Sequence, residues 1–201
     1  LQNLQNMISI PSVNPFGACD PESPAEGAMA EYFENCLRDL GLETNSHFVS
    51  SGRRNVWGVL KGQAIGKTIL LAGHLDTVGV EGYKDPFIPR VEGDRIYGRG
   101  ACDMKGGLAA ILETVRILIK AKIPINGDII VAGIVDEEDA MLGSKYFGLH
   151  GPKINYAIVA EPTDFFICPR HKGQICFSLK THGLAAHSSM PGNGINAIYH
   201  M

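Results

Sequence analysis

Four apolar stretches of this chain each lead directly into a carboxylate or a histidine. They are 69–73 before His74 and Asp76, 95–100 before Asp103, 129–135 before Asp136, Glu137 and Glu138, and 156–160 before Glu161. Short runs of Ile, Val and Leu are typical of buried strands. In an open sheet of parallel strands, the residues that do chemistry collect beyond the carboxyl ends of the strands. A histidine and several carboxylates gathered there need a cation among them, so the sequence predicts a metal-dependent hydrolase, with zinc as the expected metal.

The composition is that of an ordinary globular protein. The chain has 201 residues, of which 19% are charged, and its net charge is -3. This weak charge disfavours a nucleic-acid or membrane-surface partner. No apolar run approaches the roughly 18 residues of a membrane span, and no basic-then-apolar leader opens the chain. We therefore expect no membrane partner and a cytoplasmic location.

Cysteine usage agrees with that location. The five cysteines are Cys19, Cys36, Cys102, Cys168 and Cys176. Their number is odd and no Cys-x-x-Cys pair occurs. This pattern favours free thiols in a reducing compartment over a disulfide framework or a thiolate zinc site.

Both ends of the chain predict a segment of a longer protein. The first residues form a helical pattern with no initiator methionine, and residues 195–201 form another helical pattern with no capping signal.

Hydrophobic periodicity predicts an α/β fold. The predicted helices cover 1–9, 24–40, 105–121 and 142–149, and the predicted strands lie near 44–49, 55–61, 68–73, 128–135 and 155–160. Strand, helix, strand, helix, strand over 95–160 is the pattern of parallel crossover units with helices covering the sheet.

The pattern changes after Pro162. Residues 174–180 alternate apolar and polar side chains, which predicts a strand of an antiparallel sheet with one face in solvent. We therefore predict two domains, 1–170 and 171–201.

Each candidate site residue also has a plainer interpretation. His74 and Asp76 lie on one side of an extended segment, as a metal ligand and the carboxylate that orients it would, but a buried histidine with a local salt bridge fits as well. Asp103 precedes a long helix and could bridge two metal ions or simply cap that helix. Glu161 could be a ligand or an exposed strand end.

The acidic segment 136–139 follows a buried strand. In an exposed turn its charges carry no cost. Alternatively, successive side chains point in different directions, so that one glutamate binds metal while its neighbour acts as general base. His187, in the second domain, could stabilise an oxyanion or lie in a surface loop.

Five motifs occur together and in order along the chain. They are His74-Leu75-Asp76-Thr77-Val78; Gly98-Arg99-Gly100 with Asp103-Met104-Lys105-Gly106-Gly107; Asp136-Glu137-Glu138 with Gly143-Ser144; Glu161-Pro162-Thr163; and His182-Gly183 through His187-Ser188 with Pro191 and Asn196-Ala197-Ile198. With them the chain resembles, over nearly its whole length, the acetylornithine deacetylase / succinyl-diaminopimelate desuccinylase family of co-catalytic zinc aminoacylases and peptidases.

The resemblance implies a fold and a metal site. The fold is a zinc-peptidase-like three-layer αβα domain with a mixed, largely parallel sheet, followed by the start of a small α+β lid that often dimerises. His74 and Glu161 would bind one zinc, Glu138 the second, and Asp103 both. Cobalt and manganese are alternative metals.

The resemblance also implies catalytic roles. Glu137 would be the general base, Asp76 would hold His74, and His187 would reach the active site of a partner subunit. The family's second zinc usually takes a further histidine near the C-terminus, which no residue here matches. We expect that histidine in a part of the protein beyond residue 201.

The expected reaction is hydrolysis of the amide bond of an N-acyl amino acid or small peptide by a homodimer. A dipeptidase, aminopeptidase or general aminoacylase is the alternative within the family. A non-catalytic fragment or binding module is the alternative from another class. No cofactor other than metal is expected.

Overall fold

The computed structural model of the protein describes residues 1–16, 26–173, 175 and 177–201. Their contacts divide the chain into two units, Leu1–Phe165 and Phe166–Met201. Pro24, where we expected the second helix to begin, lies outside the described residues, as do Cys19, Gln174 and Cys176.

A five-stranded sheet forms the centre of the first unit. Its strands are β1 (Glu43–Ser50), β2 (Arg53–Leu60), β3 (Ile69–His74), β6 (Ile129–Ile134) and β7 (Tyr156–Val159), in the order β1-β2-β6-β3-β7. β3 is parallel to both β6 and β7, whereas β2 runs antiparallel to β6 and to β1. This mixed sheet, flanked by helices, confirms the predicted α/β class.

Four helices cover the two faces of the sheet. They are α1 (Gln2–Ser9), α2 (Gly27–Asp39), α3 (Lys105–Lys120) and α4 (Leu142–His150). Because successive strand residues point to opposite faces, Val131 packs with α2 and α3 in one core while Ile130 and Ala132 pack with α4 in the other. Each fully buried Leu, Ile or Phe contributes about 1.5–3 kcal/mol. Side chains that alternate between the two faces of the central strands therefore hold the three layers together.

Helix α3 carries the most regular apolar stripe. Leu108, Ile111, Leu112 and Val115 follow at three- and four-residue spacings, and all four are buried. The helix begins directly after the loop that contains Asp103.

No helix among the described residues combines the length and apolar character that a bilayer crossing needs.

Two glycines let α3 approach the sheet closely. A Cβ at Gly73, in β3, would lie 2.6 Å from the Met104 Cε, and one at Gly107 would lie 2.2 Å from the Ala160 carbonyl oxygen. The contact at Gly107 is to backbone, which cannot rotate away. The first turn of α3 is therefore pressed against the residue that precedes Glu161.

The expectation that 95–100 is a buried strand of the parallel sheet is wrong. Strand β5 (Arg95–Tyr97) instead pairs antiparallel with β4 (Arg90–Glu92) in a separate two-stranded sheet. A two-residue turn joins them, with Gly93 at φ +60° in its first position. A glycine at that position is typical of tight hairpins, and three-residue strands at the surface need no burial.

The second unit contains little regular structure in its described residues. Two short 3₁₀ helices cover Pro191–Asn193 and Ala197–His200, and Leu184 pairs with Ile195 in an isolated antiparallel bridge. The predicted strand over 174–180 is absent at the residues described there, 175 and 177–180. An alternating pattern forms a strand only when a neighbour accepts its backbone hydrogen bonds, and none of these residues has such a neighbour.

Replacing Gly107 with alanine tests the close approach of α3. We expect Gly107→Ala to destabilise the protein by about 1–3 kcal/mol, since the added methyl must displace the Ala160 backbone. Gly148, inside α4, has open space around it, so Gly148→Ala should stabilise by about 0.5–1 kcal/mol through helix propensity. Denaturant unfolding of both variants measures the difference. Equal effects of the two substitutions would contradict the close packing at Gly107.

Candidate metal centre

His74 is the last residue of β3 and is only 3% exposed. Its Nδ1 lies 2.9 Å from the backbone carbonyl oxygen of Asp76. A carbonyl can only accept, so Nδ1 carries the proton, and Nε2 is left to face the site. A buried imidazole held in one tautomer in this way is prepared to bind a metal through Nε2.

Carboxylates surround Nε2 of His74. An Asp103 oxygen lies at 3.0 Å, and Glu137 and Glu161 oxygens each lie at 3.9 Å. The potential ligand atoms form two groups, and within each group they all lie within 4.8 Å of one another. One group contains His74, Asp103 and Glu161, and the other contains His74, Glu137 and Glu138. Every metal ligand that the sequence predicts thus belongs to one of two overlapping groups. His74 is the member that both groups share, so the sharing of Asp103 between two ions stays a prediction.

Three different structural elements deliver these carboxylates. Glu161 follows β7, and Glu137 and Glu138 follow β6, so these three come from the carboxyl ends of parallel strands. Asp103 arrives differently, from the loop between the surface hairpin and α3. Its peptide bond to Met104 is cis. The buried Met104 accepts the His74 N–H through its sulfur at 3.1 Å, which ties that loop to β3.

The Asp76 side chain binds the backbone of the acidic segment rather than the His74 imidazole. Its carboxylate accepts the backbone N–H groups of Glu137 at 3.1 Å and Glu138 at 3.0 Å. The same carboxylate lies 3.6 Å from the His74 Nδ1, whereas the Asp76 carbonyl is at 2.9 Å. The orienting contact predicted for this side chain is therefore made by its backbone, and the buried side chain positions both glutamates.

The crowding of carboxylates shifts the pKa values of the site. Burial and the neighbouring charges of Asp103, Glu137 and Glu138 raise the pKa of Glu161 to about 7, although His74 opposes the rise. Burial also raises the pKa of Glu138, helped by Asp103, Asp76 and Glu137. For His74 burial alone would lower the pKa, but Asp76, Glu161 and Asp103 outweigh it and raise the value. The site therefore favours an additional positive charge.

The donor set fits a divalent metal ion. One imidazole nitrogen and several carboxylate oxygens are ligands that zinc takes in hydrolases. The raised pKa values of Glu161 and Glu138 indicate negative charge that a cation would compensate. The carboxylates of Asp103, Glu137 and Glu161 are 54%, 40% and 36% exposed, so a substrate or ion reaches them from solvent.

Lys105 lies in one of the five motifs, but the sequence pattern assigns it no role. This lysine is fully buried, and its ammonium donates to the carbonyl oxygens of Met7 at 2.9 Å and Ile10 at 2.8 Å. Burial lowers its pKa to about 7. The helical periodicity contained the signal, since Lys105 precedes Leu108 and Leu112 by whole turns and so lies on the buried stripe of α3.

A buried polar network of Asn14, Glu26 and Arg53 lies beside Asp136, and the sequence pattern does not predict it. Asn14 bridges the carboxylates of Asp76 at 2.7 Å and Asp136 at 3.2 Å. Arg53 pairs with both Glu26 and Asp136. No local pattern could reveal these contacts, because they join residues far apart in the chain.

His187 belongs to the second unit and is exposed there. Its Nδ1 accepts the backbone N–H of Ser189 at 3.2 Å. In the neutral imidazole this leaves the proton on Nε2, which can then donate to a ligand.

Comparison with known proteins identifies relatives of the whole chain. Residues 70–168 match Peptidase family M20/M25/M40, and residues 170–201 match a peptidase dimerisation domain. Acetylornithine deacetylase of Vibrio parahaemolyticus is 33% identical over 203 aligned positions, which are 98% of this chain and 52% of that protein. The enzyme of the same name from Shigella sonnei is 34% identical, over 96% of this chain and 50% of its own length. The chain thus spans about half the length of the curated relatives it matches.

Solved structures share the fold. A tripeptidase from Staphylococcus aureus superposes with a TM-score of 0.69 at 21% identity, covering 98% of this chain and 52% of its own. An M20 family metallo-carboxypeptidase from Sulfolobus solfataricus gives a TM-score of 0.63 at 25% identity, covering 79% of this chain and 36% of its own.

Metal binding should release protons in a pH-dependent way. At pH 6 Glu161 is mostly protonated, because its pKa is raised to about 7, and an incoming cation must displace that proton. At pH 8 the proton is already gone. We expect zinc affinity to fall as the pH drops through 7, with more protons released per ion at pH 6 than at pH 8. Calorimetry in two buffers of different ionisation enthalpy, on the full-length protein, measures both quantities.

Glu161→Gln removes the titrating group and should weaken zinc binding while reducing the difference between the two pH values. Glu31→Gln, on the exposed side of α2, serves as the control. Equal proton release at both pH values in the wild-type protein would contradict the raised pKa of Glu161.

Proposed function

Because this chain belongs to peptidase family M20/M25/M40, we propose that the protein hydrolyses the amide bond of an N-acyl amino acid, with N-acetylornithine as the first candidate substrate. The observation that carries this proposal is the buried imidazole of His74, surrounded by the carboxylates of Asp103, Glu137, Glu138 and Glu161. The names of the curated relatives support the acyl amino acid class. We further propose a cytoplasmic location, which fits the free thiols of Cys36, Cys102 and Cys168.

We assign His74 and Glu161 to one zinc ion, Glu138 to a second, and Asp103 to both. The close approach of Asp103 and Glu161 to the His74 Nε2 supports the first assignment. Zinc bound there would polarise the substrate carbonyl and lower the pKa of water.

Glu137 is the proposed general base. It is held through its backbone N–H by Asp76, while its side chain is 40% exposed and its Oε2 lies 3.9 Å from the His74 Nε2. A carboxylate at this position can take a proton from the attacking water and return it to the leaving amine. The Asp76 carboxylate holds the backbone N–H groups of both Glu137 and Glu138, and we assign the two neighbours different roles, Glu138 as metal ligand and Glu137 as base.

His187 is the proposed stabiliser of the oxyanion. Its Nε2–H is available because Nδ1 accepts the Ser189 N–H, and a hydrogen-bond donor lowers the energy of the developing negative charge. The match of 170–201 to a peptidase dimerisation domain supports a homodimer, in which the partner's copy of this histidine would serve the site.

A hydrolysis screen tests the substrate class. The full-length, zinc-loaded protein should cleave N-acetylornithine with a higher kcat/KM than N-succinyl-diaminopimelate, other N-acyl amino acids or dipeptides. A preference for dipeptides would instead support the peptidase alternative. Zinc binding without hydrolysis of any of these compounds would support a binding module and refute the proposed function.

Replacing Glu137 with glutamine tests the general base. Glu137→Gln should reduce kcat by at least about 100-fold, since it removes the proton acceptor, while zinc stoichiometry stays unchanged. Asp139→Asn changes an exposed acidic neighbour two residues away and should leave kcat within about twofold, as its side chain belongs to neither ligand group. Steady-state kinetics and metal analysis provide the readouts. Near-normal turnover in Glu137→Gln would show that the base is another residue.

A further inference from the structure

Arg53 lies in β2, outside the groups of potential metal ligands, and is only 4% exposed. Its Nε donates to one oxygen of Glu26 at 2.7 Å, and its Nη2 contacts the other oxygen. The same Nη2 donates to the Asp136 carboxylate at 2.7 Å. One guanidinium thus joins the start of α2 to the beginning of the acidic segment. The planar fork of the guanidinium allows a bidentate contact with one carboxylate and a further contact with the second.

Asp136 is the turning point of the acidic segment. It follows β6 directly and has φ +66°, a conformation that is uncommon for a residue with a side chain. Contacts on all sides hold it there. Its carboxylate accepts the Leu142 N–H at 3.1 Å, its N–H donates to Glu26 at 3.2 Å, and its carbonyl accepts the Met141 N–H at 2.7 Å. The direction in which the chain leaves Asp136 decides where Glu137 and Glu138 begin.

Asn14 extends this network to Asp76. Its amide donates to both Asp136 and Asp76, and Asp76 accepts the N–H groups of Glu137 and Glu138. Asn14, Glu26, Asp76 and Asp136 are all at most 2% exposed. Buried carboxylates this close together require a compensating cation, and Arg53 is the cation that contacts two of them.

We propose that Arg53 is a positioning residue for the metal site, which sets the placement of Glu137 and Glu138 through Asp136 without touching metal or substrate. This inference rests on the proposed function for its kinetic consequences, but not for its consequences on metal binding. Without the guanidinium, Glu26 and Asp136 repel each other. The turn at Asp136 then relaxes, and both glutamates lose their common orientation.

A matched pair of arginines tests the proposal. Arg54, the next residue, also pairs with a glutamate of α2, at 2.5 Å from Glu34, but makes no contact with Asp136. Arg53→Met and Arg54→Met therefore remove the same group from adjacent positions of one strand. Arg53→Lys restores a positive charge at nearly the volume of methionine, which separates the charge from packing.

The experiment uses the full-length protein and three readouts. Co²⁺ titration followed by visible absorption measures metal affinity, kinetics on a substrate cleaved by the wild-type protein measure kcat and KM, and thermal melting measures the folded fraction. The titration should give two Co²⁺ affinities, one for each proposed ion. In folded Arg53→Met we expect the weaker of these affinities to fall about 10–100-fold, and kcat to fall by a similar factor, which is the usual effect of losing a residue that supports metal ligands. KM should change much less than kcat. Arg53→Lys should recover part of both losses, and Arg54→Met should match the wild-type protein.

The outcomes that overturn the proposal are distinct. Arg53→Met with wild-type Co²⁺ affinity and kcat per folded molecule would give Arg53 a structural role alone. If Arg53→Met does not fold, Arg53→Gln removes the charge while keeping a polar group that can donate to Glu26 or Asp136, and wild-type values in that variant would overturn the proposal. If the wild-type protein binds Co²⁺ but cleaves no substrate, the proposed function fails and the Co²⁺ titration alone decides the role of Arg53. Absence of Co²⁺ binding by the wild-type protein would overturn both.

Discussion

The carboxylate of Asp76 is the contact on which the arrangement of the site depends. β3 and β6 run parallel with His74 opposite Ile134, so the segments that follow them leave the sheet side by side. Asp76 then accepts the N–H groups of Glu137 and Glu138, while its carbonyl accepts from the His74 imidazole. One buried residue thereby links the histidine to the acidic segment. If this link were lost, the imidazole and the glutamates would move independently.

Charge divides the centre of the molecule into two regions with different balance. Behind Asp76, Arg53 pairs with both Glu26 and Asp136, although burial still raises the pKa of Glu26. In front of it, beside His74, burial and the neighbouring carboxylates raise the pKa values of Glu161 and Glu138. A cation entering from solvent is therefore attracted to the exposed carboxylates around His74.

Local pattern was sufficient for the long elements of the first unit. The apolar stripe of α3 and the runs in β3 and β6 predicted helices and strands close to those observed, because burial of one face or both dictates the periodicity. It failed at 95–100, where three strand residues belong to a surface hairpin closed by Gly93. It failed again at 174–180, because an alternating pattern does not contain its own pairing partner. In both places a short segment depends on its neighbours.

The sequence alone determined which residue types follow each apolar run, and these types were enough to expect a metal and to name its candidate ligands. The tertiary structure decided that His74 is the member common to both ligand groups and that the Asp76 side chain holds backbone rather than imidazole. It also decided that Lys105 is buried and that Asn14, Glu26 and Arg53 form a buried network with Asp76 and Asp136. The physical reason is the distance along the chain over which each kind of interaction acts. Periodicity and turn preferences act over a few residues, whereas hydrogen bonds between buried charges join positions that only the folded sheet brings together.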